Sequence, residues 1–167
     1  MEDQEHTFEN ITYERECEEP LSVKYHGMLQ NGLYHGLGTF ISPNGARYIG
    51  SWHEGKQVDF GKEVWPDGTI FYGNYKEGRK NGKGFFKWFN RSKYEGNFKN
   101  DEQHGMGTYT YPDGRTYKGQ WHNGKKHGKG AFTWPDGRQY HGDYENDLKS
   151  GYGIYQWKNG ALFEGHW

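Results

Sequence analysis

The sequence predicts an all-β protein: an elongated, single-layer, antiparallel twisted sheet of tandem 23-residue β-hairpin repeats. Three observations carry this expectation. Aromatic residues and glycines recur in register every 23 residues. Between them large or small apolar residues alternate with polar ones, the two-residue period of a strand. Glycine also accounts for 27 of 167 residues, and each would cost a helix about 1 kcal/mol relative to alanine.

The columns of the repeat are explicit. Tyr25, Tyr48, Phe71, Tyr94, Tyr117, Tyr140 and Phe163 are evenly spaced, and a glycine follows each two residues later, from Gly27 to Gly165. Two residues further come Leu29, Trp52, Tyr75, Phe98, Trp121, Tyr144 and Trp167. A second glycine column runs through Gly38, Gly61, Gly84, Gly107, Gly130 and Gly153. A third holds Gly45, Gly68, Gly114, Gly137 and Gly160, with Arg91 as its exception. This gives six full repeats, starting at 25, 48, 71, 94, 117 and 140, and a partial seventh at 163.

The fifth repeat shows the elements in order. Residues 117–121 alternate as a first strand, with Tyr117, Gly119 and Trp121 on one face. Residues 122–128, rich in Gly and Asn, read as the turn. Residues 130–134 form the second strand, with Gly130, Phe132 and Trp134 on that same face. Pro135, Asp136 and Gly137 are a β-turn signature leading into the next hairpin. Large rings then fill one side and lie over gaps left by the glycines. Lys118, Gln120, Ala131 and Thr133 face water. Strands about 4.8 Å apart put roughly 9.6 Å between equivalent residues of successive repeats.

This pattern accounts for the composition. Mean hydropathy is -1.24, yet seven Trp, fourteen Tyr and ten Phe supply the apolar surface. No apolar run reaches the roughly 18 residues of a membrane helix. Glu2, Asp3, Gln4 and Glu5 after Met1 are unlike a secretory leader, and one cysteine, Cys17, builds no disulfide framework. We therefore expect a cytoplasmic protein. Residues 1–24 form an acidic N-terminal extension or cap, with eight carboxylates against Arg15 and Lys24, a net charge of -6. Residues 25–167, the repeat array, carry +5, so the total of -1 is a cancellation. Phe8 to Tyr13 has strand propensity and is placed to cover the first hairpin's open edge.

No catalytic, cofactor or metal residues are expected. His35, His104 and His127 share one slot of the repeat, so they lie too far apart for one ion, whose ligands sit about 2 Å away; they read as turn-stabilising. Gly82-Lys83-Gly84 and Gly128-Lys129-Gly130 lack the full phosphate-loop pattern and its helix. The +5 array with no recognised motif gives no nucleic-acid partner.

These residues resemble the MORN (membrane occupation and recognition nexus) repeat family, whose unit is close to Y-x-G-x-W-x-x-G-x-x-H-G-x-G-x-x-x-x-P-D-G. Residues 117–137 match every fixed position. The resemblance implies a hairpin-built single-layer sheet. It also implies a scaffold in cytoskeletal, ciliary or membrane-junction assemblies, or a module attached to an enzyme such as a lipid kinase. The departures are Val58-Asp59, Asn81-Gly82, Ser150-Gly151, Phe89-Asn90-Arg91, Lys158, and Asp101 and Asp147 in place of the turn glycine. They are expected to alter loop shape and leave the sheet intact.

Two surfaces are candidate interaction sites. The first is a groove for a helix or extended segment of a protein partner, carried by Trp52, Tyr75, Trp88, Phe98, Tyr111, Trp121, Trp134 and Trp157. The implied setting is cytoskeletal and ciliary, an axonemal or radial-spoke-like assembly. The alternative is an anionic membrane or phosphoinositide surface meeting basic loops that hold Arg79, Lys80, Lys83, Lys125, Lys126 and Lys129. Exposed end strands also suit end-to-end or homodimer association.

Overall fold

A computed structural model describes residues 22–167. The extension's Phe8–Tyr13 and Cys17 lie outside the described residues. Thirteen strands form one antiparallel sheet whose spatial order is the sequence order. The hairpins are β1 (Lys24–Gln30) with β2 (Leu33–Ile41), β3 (Arg47–His53) with β4 (Lys56–Val64), β5 (Ile70–Lys76) with β6 (Arg79–Lys87), β7 (Lys93–Lys99) with β8 (Glu102–Thr110), β9 (Thr116–His122) with β10 (Lys125–Thr133), and β11 (Gln139–Glu145) with β12 (Leu148–Gln156). β13 (Leu162–His166) adds a last strand. At the usual strand spacing the sheet extends about 58 Å along its stacking direction, with a right-handed strand twist.

Glycine organises the register. Gly119 faces Gly130 within one hairpin, and Gly130 faces Gly142 of the next. The same pairing runs from Gly27 to Gly165, so a stripe of one glycine per strand crosses the whole sheet.

The hairpin turns are shorter than the sequence suggested. Asn123 and Gly124 alone connect β9 to β10, at φ +48° and +75°, the double positive φ of a two-residue type I′ turn. Of the rest of the expected seven-residue turn, His122 ends β9 and residues 125–128 belong to β10. After Gly119–Gly130 the register jumps to Trp121–Lys126. The second strand thus carries two extra residues, a bulge. Its glycine, Gly128, sits at φ +63°. That bulge is what the His-Gly motif builds, and two extra residues preserve which face each side chain takes.

The two aspartate departures do not change the turn, contrary to expectation, whereas Gly82 of Asn81-Gly82 sits at φ +98° against +58° to +68° at Gly36, Gly105, Gly128 and Gly151. Asn100-Asp101 adopts φ +51° and +75°, the same as Asn31-Gly32. The Asp101 carboxylate also accepts the Lys80 backbone N–H at 2.9 Å, while the Asp101 N–H donates to the Lys80 carbonyl at 3.0 Å. Asp147 does the same to Lys126. The aspartates keep the turn and anchor it to the preceding hairpin. In the other turn Arg91 takes φ +71° where its column has glycine.

Candidate functional site: the aromatic face

Four rows of side chains make up this face. The first row is its floor: Tyr48, Phe71, Tyr94, Tyr117 and Tyr140 are at most 1% exposed although no second sheet covers them. Each ring lies over the glycine pair of its own hairpin, and the hydroxyl of each of the four tyrosines donates to a carbonyl three residues on. Tyr117 Oη donates to Gln120 O at 2.9 Å and Tyr94 Oη to Asn97 O at 2.9 Å.

The second row, Trp52, Tyr75, Phe98, Trp121, Tyr144 and Trp167, stands edge-on to the floor. Trp121 meets Tyr117 at 5.2 Å and 88°, and Tyr94 of the preceding repeat at 5.3 Å and 86°. Such T-shaped pairs match the ring quadrupoles and lock neighbouring repeats together. Trp121 Nε1 also donates to Gly107 O at 3.3 Å.

The third and fourth rows form one continuous chain of rings beside the Pro-Asp-Gly turns. Trp65, Phe86, Trp88, Tyr109, Tyr111, Phe132, Trp134, Tyr155 and Trp157 each touch the next, at centroid distances from 4.4 to 5.7 Å. Glu63 interrupts the third row where the other repeats place a ring.

The eight expected groove residues therefore divide. Trp52, Tyr75, Phe98 and Trp121 are 5–6% exposed and belong to the packed layer. Trp88, Tyr111 and Trp134 are half-buried and Trp157 is exposed, so these four are the ones a partner can reach. Trp65 is a fifth, one period before Trp88 and findable by that spacing.

The six basic residues do not form a loop rim. Arg79, Lys80 and Lys83 lie on β6, and Lys125, Lys126 and Lys129 on β10. Alternation sends Lys80 and Lys126 inward onto the aromatic face. Lys80 pairs with Glu63 at 3.1 Å and lies 5.1 Å from the Phe71 ring centroid. Lys126 lies over Tyr111 and Tyr117 and 3.8 Å from Asp147. Lys129, on the outer face, pairs with Asp143 at 2.7 Å. Lys149 belongs to the same inward column as Lys80 and Lys126 and went unnoticed in the sequence. Its ammonium lies over Trp134, Tyr140, Tyr155 and Trp167, and burial pulls its pKa below the usual lysine value.

The outer face is less uniformly polar than expected. Tyr72 stacks on Phe85 at 4.9 Å, with exposed Phe60 and Met106 beside them. His35 and His104 stand on strands of this face, not in turns, their rings 5.1 Å from those of His53 and His122. Among the described residues no group of three or more His, Cys, Asp or Glu could hold a metal ion.

A family model described as MORN repeat matches residues 25–47, 48–70, 71–93, 94–114, 117–137 and 140–162. No curated protein matches the chain. Similar solved structures include the TCP10c domain of Drosophila melanogaster Sas-4, at 11% identity over 79% of this chain and 93% of that one, with a TM-score of 0.35. The Drosophila melanogaster SAS-4 (dCPAP) TCP domain in complex with a proline-rich motif of Ana2 (dSTIL) shares 14% identity over 94% of this chain and 100% of that one, with a TM-score of 0.37. The TCP10 domain of Danio rerio CPAP in complex with a peptide of STIL shares 14% over 87% and 100%, with a TM-score of 0.19. Likeness at these values says nothing about ligands.

Proposed function

The chain belongs to the MORN repeat family, and from that premise we propose that it is a non-enzymatic scaffold whose aromatic face holds a helix or extended segment of a partner protein. The observation carrying this is the row of reachable rings, Trp65, Trp88, Tyr111, Trp134 and Trp157, aligned along one side of the sheet. Trp and Tyr dominate the energetic centres of protein interfaces because each buries a large rigid area and keeps a polar handle. Their neighbours in the ring chain already fix them, so docking costs little side-chain entropy. The setting we propose is cytoplasmic and cytoskeletal, in an axonemal or radial-spoke-like ciliary assembly, and it rests on the family resemblance alone.

The membrane alternative needs the six basic residues as a free cationic rim. Lys80, Lys126 and Lys129 are instead engaged by Glu63, Asp147 and Asp143, which favours the protein-partner reading.

The test is the double substitution Trp88→Ser with Tyr111→Ser. These side chains are half-buried and outside the glycine-packed floor, so the sheet's circular dichroism should persist. Partner recovered from the native assembly by cross-linking and pull-down should fall at least tenfold. Undiminished recovery with the fold intact overturns the proposal.

A further inference from the structure

The interaction face repeats in residue type as well as position, and one repeat breaks the pattern in an informative way. Lys149 Nζ lies 5.6, 4.3, 4.9 and 4.1 Å from the ring centroids of Trp134, Tyr140, Tyr155 and Trp167. Two repeats earlier the equivalent positions hold the same four residue types: Trp88, Tyr94, Tyr109 and Trp121. The two sets of rings are arranged alike, apart from the tilt of the outer pair, 61° for Trp134–Tyr155 and 43° for Trp88–Tyr109. Tyr140–Trp167 is 5.1 Å at 85° and Tyr94–Trp121 is 5.3 Å at 86°. Tyr155–Trp167 is 6.2 Å at 46° and Tyr109–Trp121 is 6.2 Å at 43°. Trp134–Tyr155 is 5.7 Å and Trp88–Tyr109 is 5.5 Å.

The residue equivalent to Lys149 is Gln103. Its amide oxygen lies by Gly124 in the next hairpin turn, 3.6 Å from where a Cβ of that glycine would stand. Among the described residues no Lys or Arg lies over any of the four rings. In three other repeats the chain fills this position with its own ammonium, from Lys80, Lys126 or Lys149. Here it has the rings without the cation.

We propose that Trp88, Tyr94, Tyr109 and Trp121 form a cage that receives the ammonium or guanidinium group of a Lys or Arg on the docked partner segment. The proposal rests on the docking reading above and adds the chemistry of one anchor and its register, over the fourth hairpin. Ring faces carry negative quadrupole charge and attract a cation. Tyr94 and Trp121 are sealed from solvent, at 0% and 6% exposure, so an incoming cation meets half-buried Trp88 and Tyr109 first and reaches the floor only as the Gln103 side chain gives way. Burial among its four rings pulls the Lys149 pKa below the usual lysine value, the direction expected where an ammonium gives up hydration. A weakly hydrated guanidinium or methylated ammonium therefore suits it better than a bare ammonium.

Nuclear magnetic resonance titration of the full chain with tetramethylammonium chloride tests this without the partner. Neopentyl alcohol serves as the neutral isostere and sodium chloride as the ionic-strength control. The expected result is a saturable shift of the Trp88 and Trp121 indole N–H signals with tetramethylammonium only. Gln103→Lys, which supplies an internal ammonium, should abolish it, and the neutral Gln103→Met should retain it. Equal shifts with neopentyl alcohol, similar shifts at all seven tryptophans, or an undiminished response in Gln103→Lys overturn the cage. Failure here leaves the docking face standing, whereas a saturable titration alongside undiminished pull-down by the Trp88→Ser, Tyr111→Ser variant removes the docking reading instead.

Discussion

Tyr117 occupies the space that a side chain at Gly130 would need: a Cβ added there would stand 2.5 Å from both Cε2 and the hydroxyl oxygen of the ring. The ring cannot retreat, because its hydroxyl is tied to Gln120 O and its faces meet the edges of Trp121 and Tyr144. Gly130→Ala should therefore destabilise the protein by about 1–3 kcal/mol, the range for overpacking a filled site. Thermal unfolding measures it, and because Gly130 is not at positive φ the loss reports the clash with the ring and not backbone strain.

The hydroxyl and the ring of Tyr117 do separable work. Phe71 holds the same position without a hydroxyl and is equally buried. Tyr117→Phe should lose only the bond to Gln120 O, about 0.5–1.5 kcal/mol. Tyr117→Ala should lose about 3–5 kcal/mol through the cavity left over the glycines. Denaturant midpoints of the two variants give the comparison, and equal losses would contradict the separation.

Alkali should unfold this sheet. Burial pushes the hydroxyl pKa values of Tyr48, Tyr75, Tyr94, Tyr117 and Tyr144 up, with Glu63 adding to the effect at Tyr75. A folded-state pKa above the unfolded one gives stability that is fully present below the unfolded value of about 10 and is lost as pH rises through the folded value. Melting temperature should be insensitive to these groups at neutral pH and fall steeply above about pH 10. Tyrosinate absorbance should then appear together with loss of the sheet's circular dichroism, and Tyr117→Phe should make the fall shallower.

Arg91 is a position where the chain carries avoidable strain. It holds φ +71° in a turn where Gly68 and Gly114 hold +86°. An L-residue in that region costs about 1–2 kcal/mol, offset in part by glycine's greater unfolded freedom. Arg91→Gly should raise stability by up to about 1 kcal/mol, read as a small increase in melting temperature.

Much of this was legible because the period is strict. The glycine columns, the ring rows and the Pro-Asp-Gly turns are each a direct image of the register. What stayed hidden was geometry that sequence does not distinguish. A glycine in a bulge looks like a glycine in a turn, so Gly128 drew residues 125–128 into a loop and Lys126 with them onto a rim. Asp101 looked like damage to a turn, because a short carboxylate that accepts a backbone N–H from another hairpin has no local signature. The rows were visible, yet exposure within them was not: Trp121 is sealed by the repeats on either side while Trp134, at the outer margin of the same face, remains reachable.

Strand order follows chain order, and among the described residues the ring pairs between repeats bridge at most 27 positions, as from Tyr94 to Trp121. The length of this molecule is therefore an independent variable. Excising one complete unit, residues 94–116, would bring the glycine stripe back together in phase and leave every remaining hairpin with neighbours of the right kind. Copy number can drift by whole units without the fold being reinvented, and the protein's reach can be cut or extended in steps of about 9.6 Å.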